Sequence, residues 1–350
     1  MVFRMSIRKV AKSKTLAVRH FVLQVAVLVV LTFSQPSLAA SREDLLEGAK
    51  REGQVVVYLS MNVEESNARN RAFEAKYPFI KVREARIDGE RLFSRILAEE
   101  QANKHLMDVV ECQEFYLHTF KKRGILGYYL SPEDRFYPKE FKEEGYWITA
   151  YLNPYVVAYN SKLVSQKNLP TRYEDLLKPE WKGKMTLEPT KADWLAGMLQ
   201  IMGREPGLKF MRALSKQNMM VRPGHSLLAQ LVAAGESLLD INMPASTANR
   251  VKEKGAPIDW IPVGPVPGIM NGIGIASKAP NPNAARVFAD FVLSREGQKM
   301  MQGFGRWVAR SDISQEQVGR SKGATIIPVD PALGEKFDEY IKLLAELFPR

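Results

Sequence analysis

Trp147-Ile-Thr-Ala-Tyr-Leu-Asn-Pro-Tyr-Val-Val-Ala-Tyr-Asn160 reads as one long extended segment with Pro154 at its middle. Proline has no amide to give to a sheet ladder, so the position marks an edge strand or a bend. Upstream, helix and strand signals alternate. Ser41 can cap a helix carrying Glu43 and Asp44 in its first turn, and Gly53 can end it. The run Gln54-Val-Val-Val-Tyr58 suits a strand covered on both faces, because its β-branched residues are uninterrupted. A helix over 64–77 is stopped by Pro78, a strand follows near Lys81–Arg86, a helix over 90–103 carries Leu92, Phe93, Ile96 and Leu97 on one side, and 107–110 is a third strand. This βαβαβ order predicts a parallel sheet with helices on its faces.

Downstream a second α/β set is expected. Strand signals fall at Met185–Leu187, 237–241 and 258–262, with helices at Ala192–Met202, 207–217, 226–234 and 245–254 between them. The Pro/Gly-rich stretch 261–274 is the second natural boundary. Helices near 283–293, 296–304 and 331–348 have no strands of their own, so the C-terminal region is expected to fold back onto the first sheet.

Residues 1–40 read as an export leader. Arg4, Arg8, Lys9, Lys12, Lys14 and Arg19 precede an apolar run from Phe21 to Phe33, and Ser37-Leu38-Ala39 offers small residues for cleavage before Ala40. About a dozen apolar residues fall short of the ~20 a membrane span needs, and no cysteine follows for lipid attachment. Six of the 50 Lys and Arg, and none of the 39 Asp and Glu, lie in this segment, so its removal takes the net charge from +11 to +5. The remaining charges are interspersed as on a solvated surface, which removes the case for a nucleic-acid partner. The densest basic run, Lys121-Lys122-Arg123, reads as the close of a helix, where cations meet the negative dipole end. Cys112 is the only cysteine, so an exported chain would hold together by core packing without an internal disulfide.

Four stretches in order resemble the periplasmic substrate-binding proteins of ABC importers, in the branch that includes the ferric-ion-binding proteins. They are Phe73-Glu-Ala-Lys-Tyr-Pro-Phe-Ile-Lys-Val82, the segment from Leu169 to Lys184, Ala233-Ala-Gly-Glu236, and the segment from Asn281 to Gln298. The resemblance implies an α/β, two-lobed periplasmic-binding-protein-like fold (type II) with two crossover strands at the hinge. Residues 1–39 would be the signal peptide, 40–152 plus 268–350 a discontinuous first lobe, and 153–267 an inserted second lobe. It also implies a monomer without a cofactor that captures a small-molecule ligand by hinge closure and delivers it to an ABC permease of the inner membrane.

Ligands of open α/β sheets sit beyond the carboxyl ends of the strands. That rule, with the crossover, nominates Ser60, Asn62, Glu111, Gln113, Tyr151, Asn153, Thr190, Lys191, Trp194, His225, Asn242 and Ser246 as ligand contacts. Thr190, Lys191 and His225 lie at helix starts, where backbone amides and the positive dipole end suit an anion or a carboxylate. Several have plainer readings: Asn62 and Thr190 as helix caps, Trp194 and Tyr151 as packing residues, Cys112 as a buried filler. Carried over from the resemblance, the ferric ligands fall on Asn62, on Gln113 with Glu114 one residue off, and on Ala245-Ser246. None of these supplies the phenolate and carboxylate set that Fe³⁺ prefers. The expected guest is therefore a small polar or anionic molecule, with iron or an iron chelate as the alternative. A sensor-kinase partner and an exported hydrolase rank lower, since no G-x-S-x-G, H-E-x-x-H or P-loop motif appears.

Overall fold

A computed structural model describes residues 41–87, 89–314 and 323–349. The expected leader over 1–39 lies outside the described residues. The chain divides into Met1–Leu45 and Leu46–Arg350. Of the first unit only the opening turn of α1 (Arg42–Glu52) is described, and there Ser41 Oγ accepts from the Asp44 amide at 3.1 Å, the cap expected from the sequence.

The second unit begins with the predicted parallel set. Strands β1 (Gln54–Leu59), β2 (Lys81–Arg86) and β3 (Val109–Gln113) run parallel in the order β2-β1-β3, joined through α2 (Val63–Lys76) and α3 (Gly89–Gln101). The third strand is displaced from its expected place: it takes in Glu111, Cys112 and Gln113, which the sequence pattern put in the loop beyond it. Residues 114–122 form α4 (Glu114–Lys122), which ends on the basic run as expected, with Arg123 at its C-cap. After α4 comes a short β4 (Lys142–Glu143), paired with the start of the next strand.

That strand is β5 (Trp147–Asn160), which is not the edge strand its proline suggested: it lies between two other strands of the sheet and runs on through Pro154, where its partners change. Residues up to Pro154 pair with β10 (Val266–Ile275), which also pairs with β3; from Tyr155 onward β5 pairs with two other strands, β8 (Leu239–Pro244) and β9 (Ile258–Ile261). One strand thus leaves the first half of the sheet and enters the second. In the second half β6 (Met185–Leu187), β7 (Met220–Val221) and β8 are mutually parallel, so their carboxyl ends gather on one edge. Each is followed by a helix: α5 (Ala192–Met202) and α6 (Arg204–Leu214) after β6, α7 (His225–Ala234) after β7, α8 (Ala245–Glu253) after β8.

The core is continuous beneath both halves. Phe73 of α2 meets Phe288 and Phe291 of α9 (Pro282–Leu293) at ring centroid distances of 5.0 and 5.5 Å. With α10 (Arg295–Gly303), α9 returns to the first half, as expected. The last segment does more than that. Phe337 packs its ring against Phe93, Phe115 and Tyr116, and α11 (Phe337–Leu347) then continues onto α5 of the second half. Its apolar stripe, with Tyr340 and Leu344 buried, needs cover along its whole length, and the first half covers only its beginning. Among the described residues no helix is long and apolar enough to cross a membrane.

Candidate functional site

The site is built where β5 changes partners. On the first half, Asn62 caps α2, its Oδ1 accepting from the Glu64 amide at 2.8 Å. That start turns Glu65, Arg69 and Phe73, spaced at four residues, to the buried side. Arg69 forms a fully buried ion pair with Glu111 in the middle of β3, and its guanidinium lies over the Phe288 ring. Glu65 reaches past it to Arg306.

Arg306 follows α10 through Gly305, whose φ of +77° is open to glycine at little cost. The Leu152 amide donates to the Trp307 carbonyl at 2.7 Å, and this bridge sets Arg306 alongside Tyr151 and Asn153. Arg306 Nε donates to Glu65 Oε2 at 2.8 Å, and Nη1 donates to Asn153 Oδ1 at 2.6 Å and to Ser246 Oγ at 3.1 Å. Its guanidinium carbon sits 4.8 Å from the Tyr151 ring centroid, within cation–π range. Ser246 also donates to Asn153 at 3.2 Å. From the second half, Arg250 of α8 comes within 3.6 Å of Glu65 Oε1. Burial lowers the Arg250 pKa and Glu65 partly offsets it. Tyr151 is held above the usual phenol range by burial, with Arg306 opposing.

The second wall is the edge where β6, β7 and β8 end. Asn242 on β8 holds the turn after β6 with both ends of its amide, accepting from Glu188 N and donating to Glu188 O, each at 3.0 Å. The Glu188 carboxylate takes the Thr190 amide at 3.2 Å and its hydroxyl at 2.9 Å, and lies 3.7 Å from Lys191 Nζ. Thr190 and Lys191 are thereby folded against the start of α5. His225 opens α7, its ring 5.5 Å from that of Tyr155 on β5. Beneath this edge Asp240 and Asp193 are buried, and burial raises their pKa values to about 7 and about 6.

The nominated residues therefore divide. Tyr151, Asn153 and Ser246 come together through Arg306; Thr190, Lys191 and Asn242 are joined through Glu188, with His225 on the same edge. Ser60 follows β1, its amide 3.4 Å from the Glu111 carbonyl, and Gln113 occupies the N-cap of α4 without a side-chain cap bond. Glu111 is committed to Arg69, Asn62 to its helix cap, and Trp194 to the main core, where Cys112 is also buried. Sequence reasoning missed Glu65, Arg69, Glu188, Arg250 and Arg306. The Glu65/Arg69 spacing on an otherwise polar helix, and Glu188 just before Thr190 and Lys191, could have drawn notice; the partners of Arg250 and Arg306 are remote in the chain.

Residues 106–318 match the family model of the bacterial extracellular solute-binding proteins. The chain belongs to that family. This solute-binding protein is 24% identical over 185 residues to the Fe(3+)-binding periplasmic protein of Serratia marcescens, a match covering 47% of this chain and 52% of that one. It is 24% identical over 215 residues to a "probable ABC transporter periplasmic-binding protein" of Sinorhizobium fredii, covering 58% and 60%. The chain thus spans just over half the length of these two curated relatives. Solved structures of the same two-lobed fold include the periplasmic binding protein AfuA of Actinobacillus pleuropneumoniae with fructose-6-phosphate bound, at a TM-score of 0.72, 22% identity, and coverage of 84% of this chain and 97% of that one. Iron-bound HitA of Pseudomonas aeruginosa aligns equally, at 0.72 and 22%, over 84% and 99%.

Proposed function

We propose that this chain is the periplasmic capture component of an ABC importer and that its ligand is a small anion such as an organic phosphate, phosphonate or carboxylate. The observation that carries the reading is the convergence of Arg306 and Arg250 on the carboxylate of Glu65, so that two guanidinium groups share one close carboxylate where the two halves of the sheet meet. The pairs Arg69–Glu111 and Lys191–Glu188 balance themselves. The starts of α5, α7 and α8 add backbone amides and positive dipole ends on one edge.

The lobes are taken as 40–152 plus 268–350 and 153–267, hinged on β5 and β10, in a monomer exported by a cleaved leader over 1–39. Closure stores contacts to both lobes, and that difference in contact energy selects the closed state. The protein binds its ligand without transforming it, and a permease that reads the closed surface takes it onward. The names of the Sinorhizobium relative and of AfuA support this reading; the Serratia relative and HitA support the iron alternative. Against iron stands the chemistry at the carried-over positions: Ser246 accepts a hydrogen bond from a guanidinium, and Asn62 spends its amide oxygen on a helix cap. A thermal-shift panel of fructose 6-phosphate, phosphonates, carboxylates, sulfate and ferric citrate is the test. Anions should stabilise the protein, and Arg306→Ala should abolish the effect. Stabilisation by ferric citrate alone would overturn the reading.

A further inference from the structure

Among the described residues on the candidate edge, His225 is the side chain both of whose polar atoms the protein shields and leaves unanswered. Its Nδ1 and Nε2 are both buried from solvent, and among the described residues neither has a hydrogen-bond partner. A neutral imidazole carries one donor and one acceptor, and a shielded site that satisfies neither is rare in a folded protein. The position explains why the ring is not simply core. His225 extends the buried stripe Leu228, Ala229 and Val232 of α7 one turn past the apolar contacts, to the helix start, where Arg222, Pro223, Gly224, Ser226 and Leu227 are exposed. Gly224, at φ +101°, lets the chain turn sharply enough to bring the ring inward.

The groups that face it come from two other elements. Tyr155 presents its ring from β5, and Lys191 stands at the start of α5 with the Glu188 carboxylate 3.7 Å behind it. Burial, and then the charge of Lys191, hold the imidazole well below its ordinary pKa, so it is neutral in the free protein.

We propose that His225 is a proton-gaining ligand contact: an anionic group settling against His225 and Lys191 offsets the lysine charge, accepts an N–H from the ring, and draws a proton from solvent onto the imidazole. Capture of the anion is then coupled to uptake of one proton, and affinity rises as pH falls. This deepens, and rests on, the anion reading of the same site. Opposite charge and a hydrogen bond to the charged form both favour the imidazolium, against the burial that disfavours it. Linkage makes the two effects one quantity, since each unit by which the ligand raises the ring's pKa is a tenfold difference in affinity between the protonated and neutral forms.

The test follows the ring itself. Protein labelled at histidine is titrated by NMR with and without saturating sulfate, which carries no proton of its own across this range. Beyond the leader the chain has only His105, His118 and His225; His225→Gln assigns the third resonance, and His105→Gln with His118→Gln assign it by elimination if that variant fails to fold. The expected result is a His225 midpoint raised by about one pH unit or more on adding sulfate, with sulfate binding more tightly as pH falls through the ligand-bound midpoint. Asp193 and Asp240 titrate in the same half, so the pH profile of affinity is secondary to the ring's own resonance. A midpoint unmoved by sulfate that does stabilise the protein overturns the proton coupling and spares anion capture. If no anion in the panel stabilises the protein at any pH, both fall.

Discussion

Arg306 and Glu65, 241 residues apart in the chain, meet through Nε and Oε2 at 2.8 Å. Their meeting ties α2 and the segment after α10 to the crossover strand through Asn153 and to α8 through Ser246 and Arg250, so a single carboxylate collects both halves of the sheet. Both partners are nearly sealed from solvent, where a pair is worth little net but a broken pair is costly.

Glu65→Gln should therefore lower the free energy of unfolding by about 3–5 kcal/mol, the usual loss when one partner of a buried pair is removed. Urea titration of the free protein measures it. Sulfate should restore more stability to this variant than to the parent, because two guanidinium groups then lack their carboxylate. An unchanged midpoint would mean that solvent already screens the pair.

Asn242 was nominated from the sequence as a ligand contact, but both ends of its amide are spent on the Glu188 backbone. Asn242→Asp puts an acceptor against the Glu188 carbonyl and should cost about 1–3 kcal/mol for the unmade bond, releasing the Thr190–Lys191 turn. Amide exchange at Thr190 and Lys191 should accelerate in the variant. Exchange rates equal to the parent's would show that the turn holds itself through the Glu188 carboxylate alone.

Much of the fold was legible because local patterns carry it: the β-branched run of β1 and the stops at Gly53 and Pro78 each need only near neighbours. The site was half legible. Strand ends and helix starts point to Thr190, Lys191, His225 and Ser246 by topology alone. Arg306 and Arg250 look like any surface arginines until the Leu152–Trp307 bridge and the start of α8 bring them to Glu65. Trp194 shows the opposite error, since an aromatic one turn into a helix near a cleft can face either way, and its neighbours along α5 turn it into the core.

Gly197 fixes that helix against the crossover. A Cβ there would stand 2.7 Å from both Pro267 Cβ and Val329 Cγ2, so α5 approaches β10 as closely as a side chain's absence allows. Gly197→Ala should destabilise by about 1–3 kcal/mol through overpacking, in spite of alanine's better helix propensity. Thermal unfolding measures the loss, and a stabilised variant would show that Pro267 and Val329 shift freely.

Asp240 makes the stability of the protein depend on pH in an unusual direction. It is fully buried on β8, accepts from Thr186 Oγ1 at 2.9 Å and from the Asn242 backbone amide at 3.1 Å, and burial raises its pKa to about 7. Its unfolded value is near 3.8, so between these limits the folded state holds a proton that the unfolded state gives up. The stabilisation is complete below about pH 4 and is lost as pH rises through about 7. Glu114, raised to about 7 by burial, acts with the same sign in the first half. His225 acts against them, because its lowered pKa removes stability as pH falls through the ordinary histidine range. The difference between Asp240→Asn and the parent isolates the aspartate, and the asparagine oxygen still accepts the Asn242 amide while its NH₂ can donate to Thr186. The variant should gain thermal stability over the parent at pH 8, and that advantage should shrink steadily as pH falls to 5. An advantage that is the same at both values would mean that Asp240 keeps one protonation state throughout.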